Sequence, residues 1–252
     1  MSIVDNEKQA VLRNKSLKEN SEKIKIEGID ADKTYITEIV KRSRANGVIL
    51  DIGAGTAYFT IKIAKRTLNV EIVALDLSSA SIRIAKDNVS NVKDVNIHLL
   101  IADGRYLPFK NEAFWLVTSR LAPHSIKEAY RVLKKNGWYI FRACGPYNCW
   151  KEAHEIFGKR ALPFATAEWW KTPFGRLERL KQHGFRDVYE MFFLVQKYYT
   201  LEQIIKELTF NPIVKDFNPE KDISKLKELE KKYRTQKGIE ITADPLILFG
   251  RK

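Results

Sequence analysis

The sequence predicts an α/β fold, a doubly wound and mostly parallel sheet covered by helices on both faces. The first observation behind this prediction is an alternation, between residues 48 and 143, of short apolar runs with amphipathic helical stretches. Nearly all-apolar runs are typical of parallel strands that are buried on both faces. The second observation is a glycine-containing turn after the first run, which is typical of a ligand-binding edge in such a sheet.

Five strands and the helices between them follow from this alternation. Before the first strand, Asp30 and Asp32 are candidate N-caps of a helix that ends at Asn46 and Gly47. The connections between parallel strands are expected to cross over with a right hand. The predicted strands are 48–52, 71–76, 95–103, 114–119 and 138–143.

The pattern loosens after residue 143, where prolines and aromatic residues become frequent. A helix is expected near 176–183, followed by a strand at 189–197. Residues 200–236 are typical of two helices. The segment 241–252 predicts a last strand, in which Pro245 favours an edge or a bulge because proline cannot donate to a sheet ladder.

The composition is that of a globular protein, and it excludes several classes. The 252 residues are 44% hydrophobic and 30% charged, with two cysteines and a net charge of +13. So few cysteines indicate a reducing compartment, and their spacing with the histidines does not resemble a metal site. The N-terminus lacks a signal-peptide core, and no stretch approaches about 18 apolar residues. We therefore expect a cytoplasmic protein without a membrane span and without a metal.

The positive charge is concentrated in one part of the chain. Residues 111–199 carry 15 basic and 8 acidic residues, which is more than half of the surplus. A basic face of this kind favours an anionic partner such as nucleic acid. The alternative is a lysine-rich surface of a thermophile, which needs no partner.

The turn DIGAGTAYFT, residues 51–60, follows a strand and opens a helix. Its glycines allow backbone N–H groups to approach an anionic ligand. It differs from the dinucleotide-binding fingerprint, because Tyr58 stands where close packing of helix and strand requires a third glycine. Asp51, two positions before the first glycine, is also foreign to that fingerprint.

Acidic residues lie at the ends of the first three predicted strands. Asp76 ends the second strand, where a carboxylate can accept both hydroxyl hydrogens of a ribose. Asp103 ends the third strand with Gly104 behind it, in position to contact an adenine edge. Each aspartate on its own could instead cap the following helix. Three of them in register at one edge favour a binding site.

Together these features resemble the class I S-adenosylmethionine-dependent methyltransferases, specifically the type 11 branch. The resemblance covers about residues 30–145 and needs several motifs at once, which makes it specific. The matching motifs are DIGAGTAYFT, VALDLS (73–78), IADGRYLPF (101–109), FWLVTSRLAPH (114–124) and AYRVLKKNGWYIF (129–141).

The resemblance implies a seven-stranded, mostly parallel, Rossmann-like sheet with an antiparallel last strand and helical additions. Within it, residues 1–30 would form an N-terminal arm or covering helix, and 31–145 the cofactor-binding core. Residues 146–252 would supply the substrate-facing segment, a helical lid and the last two strands of the same domain.

The resemblance also implies where S-adenosylmethionine binds. The glycine turn would run along the methionine moiety of the cofactor, and Asp51 would hold its ammonium group. Asp76 would bind the ribose hydroxyls, while Leu77 packs on the adenine. The implied cofactor-binding residues are Asp51, Gly53, Gly55, Asp76, Leu77, Asp103, Gly104, Arg120 and Leu121.

Methyl transfer is an in-line displacement that an enzyme can promote largely by positioning the reactants and excluding water. No catalytic triad is therefore expected. An acceptor that must lose a proton needs a general base, and His124 is the candidate by its position after the fourth strand. The alternative is that His124 caps or packs at the start of a helix.

The methyl acceptor is predicted from the segment after the core. Aromatic and basic residues interleave there, a combination that is typical of RNA recognition. The run 120–146 is also similar to a bacterial ribosomal-RNA guanine N1-methyltransferase. An RNA nucleobase is therefore the first hypothesis. The predicted substrate-binding residues are Tyr147, Trp150, Lys159, Arg160 and Trp169.

Two other hypotheses remain open. The acceptor could be a small-molecule or quinone-like metabolite, with the aromatic residues lining a closed pocket. The protein could also be a non-catalytic, cofactor-binding module on the same fold. Cys144 and Cys149, which follow the fifth strand, are expected to pack in the interior.

Overall fold

A computed structural model describes residues 10–11, 14–15, 17, 24–211 and 213–252. Most of the predicted arm, residues 1–30, lies outside the described residues. The described strands are β1 (Lys25–Glu27), β2 (Val48–Ile52), β3 (Glu71–Asp76), β4 (Asn96–Ile101), β5 (Phe114–Arg120), β6 (Leu133–Cys144), β7 (Arg186–Phe192), β8 (Val195–Tyr199), β9 (Arg234–Thr235), β10 (Gly238–Ala243) and β11 (Pro245–Arg251). The α-helices that have described bounds are α1 (Ala31–Arg42), α2 (Tyr58–Ala64), α3 (Ser79–Ser90), α4 (Ile126–Val132), α5 (Lys151–Phe157), α6 (Pro173–Gln182), α7 (Leu201–Phe210) and α8 (Ile223–Tyr233).

Seven strands form one sheet in the order β4-β3-β2-β5-β6-β11-β7. The pairs from β4 through to β6 are parallel, whereas β11 runs antiparallel to both of its neighbours. The strand order reverses at β2, so the carboxyl ends of β2, β3 and β5 meet at one edge. The predicted seven-stranded sheet with an antiparallel last strand is confirmed.

Helices cover both faces of this sheet because neighbouring residues of a strand point in opposite directions. Leu50 packs on the face that α4 and α6 cover, with Ala129 and Leu180 among its neighbours in the core. Ile49 packs on the other face, against Ile39 of α1. The near-continuous apolar strands thus reflect burial on two sides.

Two predicted strands each divide into two. The segment 189–197 is interrupted at 193–194 and contributes to both β7 and β8. The segment 241–252 divides at Asp244 into β10 and β11. The prediction of one strand in each place was wrong because each segment crosses between two sheets. In both segments one of the two strands belongs to the large sheet and the other to a second, smaller sheet. Pro245 is the first residue of β11, where its missing N–H costs no ladder bond, and β11 lies inside the sheet rather than at an edge.

The second sheet has four strands in the order β1-β8-β10-β9, all antiparallel. Its inner face packs on α5, α7 and α8 around a separate apolar cluster that includes Ile204, Leu226 and Ile241. The sequence did not predict this sheet, because its strands are short and pair across long stretches of chain. The apolar cluster of this sheet also includes Cys144, the last residue of β6.

Candidate active site

The glycine turn leaves β2 in a backbone conformation that requires glycine. Gly53 has a φ of +75°, and its N–H and that of Ala54 donate to the carbonyl of Leu75, at 2.8 and 2.9 Å. A Cβ placed on Gly53 would lie 2.1 Å from the Cβ of Ala122. The turn is therefore fixed between the ends of β3 and β5 with no room for a side chain.

Gly55 differs from Gly53 in what surrounds it. Its φ is +57°, and a Cβ placed there would meet no described atom within 4 Å. The open side of Gly55 is the cradle that a bound ligand would fill. Beside it, the hydroxyl of Thr56 is buried and has no hydrogen-bond partner among the residues that the structure describes. The turn therefore fits a polar ligand at the place that the sequence predicts.

Asp76 is held at the end of β3 by two backbone groups. Its Oδ2 accepts from the N–H of Gly55 at 2.8 Å, and its Oδ1 accepts from the N–H of Ser78 at 2.9 Å. The N-cap of α3 is Ser78, so Asp76 does not serve as that cap. A fixed carboxylate with free lone pairs can accept further hydrogen bonds from a diol. Leu77 follows with 63% of its surface exposed, which leaves an apolar side chain free for a planar ring.

Asp51 lies below the turn and is buried. Thr60 donates a hydrogen bond to its Oδ2 at 2.5 Å. Burial raises the pKa of Asp51 to about 6, and the nearby Asp76 adds to this, while Thr60 and Arg120 oppose it. A cation placed beside a carboxyl group that titrates in this range stabilises the ionised form of that group.

An ion network links the start of α1 to the ends of β5 and β6. Arg120 donates to both carboxylate oxygens of Asp32, at 3.0 and 2.9 Å, and Arg142 donates to Oδ1 at 2.9 Å. The guanidinium of Arg120 also lies over the ring of Phe59, at 3.9 Å from its centroid. Asp32 loses water on burial, which alone would raise its pKa, but the two arginines hold that pKa well below its usual range.

The sequence did not predict this network. It placed Asp32 as a possible N-cap, but the cap of α1 is Asp30, whose carboxylate accepts from two backbone N–H groups of the first turn. Arg142 is not among the residues that the sequence predicts for the site. The partners are 88 and 110 positions apart in the chain, so a local pattern could not reveal them.

The remaining predicted cofactor-binding residues lie along the same edge. Asp103 accepts hydrogen bonds from the backbone and the guanidinium of Arg105, which lower its pKa. A Cβ on Gly104 would lie 2.6 Å from Ile52, so glycine brings this loop close to β2. Leu121 has a φ of +56° and is 37% exposed. Their roles in binding a cofactor remain predictions.

His124 is tied into the protein by both ring nitrogens. Nδ1 lies 2.8 Å from the carbonyl of Ala122, so it carries the proton and donates. Nε2 then accepts from the hydroxyl of Tyr139 at 2.6 Å. Burial lowers the pKa of His124, which keeps the ring neutral near pH 7. This geometry favours the packing alternative over the predicted role as a general base.

The predicted substrate-binding residues do not form one surface. Trp150 is only 4% exposed and packs on the ring of Tyr199. Arg160 donates to both carboxylate oxygens of Asp222, at 2.7 and 3.0 Å. Trp169 is half-buried against Trp170 and Arg179, whereas Tyr147 and Lys159 are exposed. The ring of Trp150 is therefore not accessible for stacking with a base, because it is packed within the apolar cluster of the second sheet.

Comparison with known proteins identifies the class of this core. Residues 49–137 match a family described as "Methyltransferase domain". The matched segment contains the glycine turn and runs from β2 into β6. Residues 49–137 therefore match a methyltransferase domain, which confirms the resemblance seen in the motifs. S-adenosylmethionine is the methyl donor of this class.

Two curated relatives and one solved structure illustrate which proteins this chain is similar to. The chain is 29% identical, over 147 residues, to malonyl-[acyl-carrier protein] O-methyltransferase of a Paenibacillus species, covering 52% of this chain and 53% of that protein. It is 26% identical, over 174 residues, to demethylmenaquinone methyltransferase of Staphylococcus haemolyticus, covering 65% and 68%. The structure of YcgJ from Bacillus subtilis superposes with a TM-score of 0.65 at 16% identity, covering 87% of this chain and 98% of that one.

These likenesses have a defined extent. The chain spans about half, or less, of the length of the first curated relatives that it matches.

Within the described ranges, no helix is long and apolar enough to cross a membrane. The same part of the chain contains no group of three or more His, Cys, Asp or Glu that could hold a metal ion.

Proposed function

We propose that the protein transfers the methyl group of S-adenosylmethionine to a small-molecule acceptor that carries an anionic group. The acceptor would bind at the carboxyl ends of β5 and β6. The observation that carries this proposal is the pair Arg120 and Arg142, which share the single carboxylate of Asp32. The network therefore has a surplus of positive charge beside the turn that would hold the methyl donor.

The cofactor side of the proposal uses the residues around the glycine turn. When bound, S-adenosylmethionine supplies a methyl group on a positively charged sulfur. We infer that the Asp76 carboxylate accepts hydrogen bonds from the ribose hydroxyls and that Leu77 covers the adenine. Asp51, in its ionised form, would attract the ammonium group, and the open side of Gly55 would give the ligand room.

Binding of the methyl acceptor would use the N–H donors of the two arginines. Each guanidinium has five N–H donors, and Asp32 has only two oxygens to accept them. Arg120 keeps 21% of its side chain exposed, and Arg142 keeps 4%. An acceptor carboxylate can replace water on the remaining donors of Arg120 through charge-assisted hydrogen bonds. Arg142, in contrast, also donates to the carbonyl of Ala143 and lies against the sulfur of Cys144. Arg120, as the more exposed of the two, is the first contact that we expect.

An anionic acceptor also agrees with the state of His124. A carboxylate oxygen is already a nucleophile and needs no base to remove a proton. The chain then contributes by orienting the acceptor and excluding water. The hydrogen bonds that occupy both nitrogens of His124 are no obstacle to such a reaction.

The first hypothesis from the sequence, an RNA nucleobase as acceptor, has less support. Trp150 and Trp170 are buried, and Arg160 is paired with Asp222, so these groups are not free to hold bases and phosphates. The two curated relatives named above act, by their names, on malonyl-[acyl-carrier protein] and on demethylmenaquinone. Both are acceptors other than nucleic acid, which agrees with the second hypothesis from the sequence.

The test is transfer of labelled methyl from S-adenosylmethionine to separated small-metabolite, RNA and protein fractions. We expect label in small acidic molecules, released by mild alkali if a carboxylate oxygen has been methylated. Label in RNA alone would contradict the proposal. Binding of S-adenosylmethionine without transfer to any fraction would support the non-catalytic module instead.

A variant pair makes the acceptor test specific. Arg120→Gln removes the exposed guanidinium, and we expect kcat/KM for the acidic acceptor to fall at least about tenfold, as for the loss of one charged hydrogen bond. Arg66→Gln, at an exposed arginine just beyond α2, is the matched control and should leave kcat/KM unchanged. Equal kcat/KM for the two variants would show that Arg120 does not bind the acceptor.

A further inference from the structure

The two cysteines of the chain lie side by side at the end of β6. Cys144 is the last residue of that strand, and Cys149 lies five positions further on, before α5. Both thiols are free, and their sulfur atoms are 2.6 Å apart. Side chains joined by a disulfide have sulfurs about 2.05 Å apart, so a bond requires only a small movement.

The backbone holds the two cysteines in this arrangement. Asp244 accepts hydrogen bonds from the N–H groups of Tyr147 and Cys149, at 2.8 and 2.7 Å, through its two carboxylate oxygens. Its own carbonyl accepts from the N–H of Gly145 at 2.7 Å. Three bonds from one residue therefore fix the intervening turn, and with it the backbone positions of the two cysteines.

The surroundings of the two thiols differ, and they include the positive charges of Arg142 and Lys197 and the carboxylate of Asp244. The guanidinium of Arg142 lies 3.7 Å from the sulfur of Cys144. Burial alone would raise the pKa of Cys149, but its hydrogen bond with Cys144 and the charges of Arg142 and Lys197 together lower that pKa. Burial, above all, and the neighbouring thiol raise the pKa of Cys144. Cys149 is thus the more nucleophilic sulfur, and Cys144 lies in position to react with it afterwards.

We propose that Cys144 and Cys149 are a modification site, a dithiol that a small hydroperoxide converts into an intramolecular disulfide. The thiolate of Cys149 attacks the peroxide oxygen, which forms a sulfenic acid and releases the alkoxide or hydroxide. The sulfur of Cys144 then displaces hydroxide from that sulfenic acid, and its proton completes a water molecule. In total, two thiols lose two electrons and two protons, while one peroxide is reduced to an alcohol or water, with one further water.

The size of the oxidant follows from exposure. Cys144 is 5% exposed and Cys149 is 9% exposed, so a protein thiol or glutathione disulfide cannot reach either sulfur in the folded state. Hydrogen peroxide is small enough. This assignment is independent of the methyl acceptor, and it extends the packing role that the sequence suggested for the two residues.

The test uses the full-length protein and hydrogen peroxide. We expect both thiols to disappear together, with a mass loss of about 2 Da from the two hydrogens, and dithiothreitol to restore them. The rate should not depend on protein concentration, because the bond is intramolecular. Since the chain has two cysteines, each product is assigned without ambiguity.

Single serine variants separate the two roles. Cys144→Ser should stop at the sulfenic acid, which dimedone traps, whereas Cys149→Ser should react at least about tenfold more slowly than the wild type. Circular dichroism of each variant checks that it is folded. The proposal is overturned if the wild-type thiols stay free under peroxide, or if they react only after the protein is unfolded.

Discussion

The carboxylate of Asp76 accepts a hydrogen bond from the backbone N–H of Gly55, with the two atoms 2.8 Å apart. This bond joins the end of β3 to the turn that follows β2. It fixes the carboxylate beside the open face of Gly55, so the two groups can contact the same ligand. The proposed binding edge is therefore built from two adjacent parallel strands rather than from the glycine turn alone.

Asp76→Ala should weaken cofactor binding without unfolding the protein. The proposed bonds to two ribose hydroxyls would be lost, at a cost of about 2 kcal/mol, or roughly thirtyfold in affinity. Calorimetric titration with S-adenosylhomocysteine measures this effect. Asp87→Ala, an exposed aspartate on α3, is the control and should bind as the wild type does. Unchanged affinity of Asp76→Ala would contradict its role.

The two glycines of the turn should respond differently to alanine. Gly53→Ala forces a methyl group against Ala122 at a positive φ, so the free energy of unfolding should drop by about 3 kcal/mol or more. Gly55→Ala meets open space and should lose only about 1 kcal/mol through its positive φ. Urea unfolding measures both values.

The same pair distinguishes stability from binding. In Gly55→Ala the methyl group occupies the proposed ligand space, so affinity for S-adenosylhomocysteine should fall at least about tenfold although the fold is kept. Wild-type affinity in this variant would show that the ligand lies elsewhere. Gly158→Ala, at a glycine directly after α5 that has a φ of +54° and open space around a Cβ, controls for backbone strain alone.

Asp51 should make cofactor binding depend on pH. Its pKa in the free protein is raised to about 6, and a bound ammonium group favours the ionised form. Affinity for S-adenosylhomocysteine should therefore fall as the pH drops through about 6. Asp51→Asn should bind more weakly at neutral pH and lose most of this dependence. Parallel pH profiles for the two proteins would exclude Asp51 as the titrating group.

The same shift predicts the sign of a stability change. Because the folded state raises the pKa of Asp51 from 3.8 to about 6, its protonated form stabilises the fold, and this contribution is lost as the pH rises through about 6. Wild type should thus lose about 1 kcal/mol relative to Asp51→Asn between about pH 5 and about pH 7. Urea unfolding at several pH values measures the difference.

Asp32→Asn should destabilise the protein through its two arginines. The neutral amide leaves Arg120 and Arg142 without their shared counter-charge, at a cost of about 2–4 kcal/mol for a partly buried network. Asp30→Asn is a matched control, since asparagine caps a helix nearly as well as aspartate. Thermal and urea unfolding compare the two variants, and equal stability would show that the network contributes little.

The sequence was sufficient for the parallel core because that core depends on local patterns. A run such as 48–52 is apolar because both faces of its strand are covered, and this is visible in the run itself. The position of the glycine turn followed in the same way. The antiparallel last strand came from the family resemblance, and the structure agrees with it.

The sequence alone could not predict the second sheet or the break at Asp244. The strands on either side of that residue form one apolar stretch, and their division depends on where the neighbouring strands lie. The prediction that Trp150 contacts a substrate met the same difficulty. An aromatic residue in a basic segment suits a core as well as a binding face, and only packing shows that it is 4% exposed.

By itself, then, the sequence determined the class of fold, the proposed binding edge and the match to a methyltransferase domain, since each depends on residues that are close together in the chain. Tertiary structure decided which charges become neighbours. Asp32 meets Arg120 and Arg142 across 88 and 110 positions, and Cys144 faces Cys149 because Asp244 holds their turn. Contacts between distant residues leave no local pattern, because burial and chain closure in the whole fold create them.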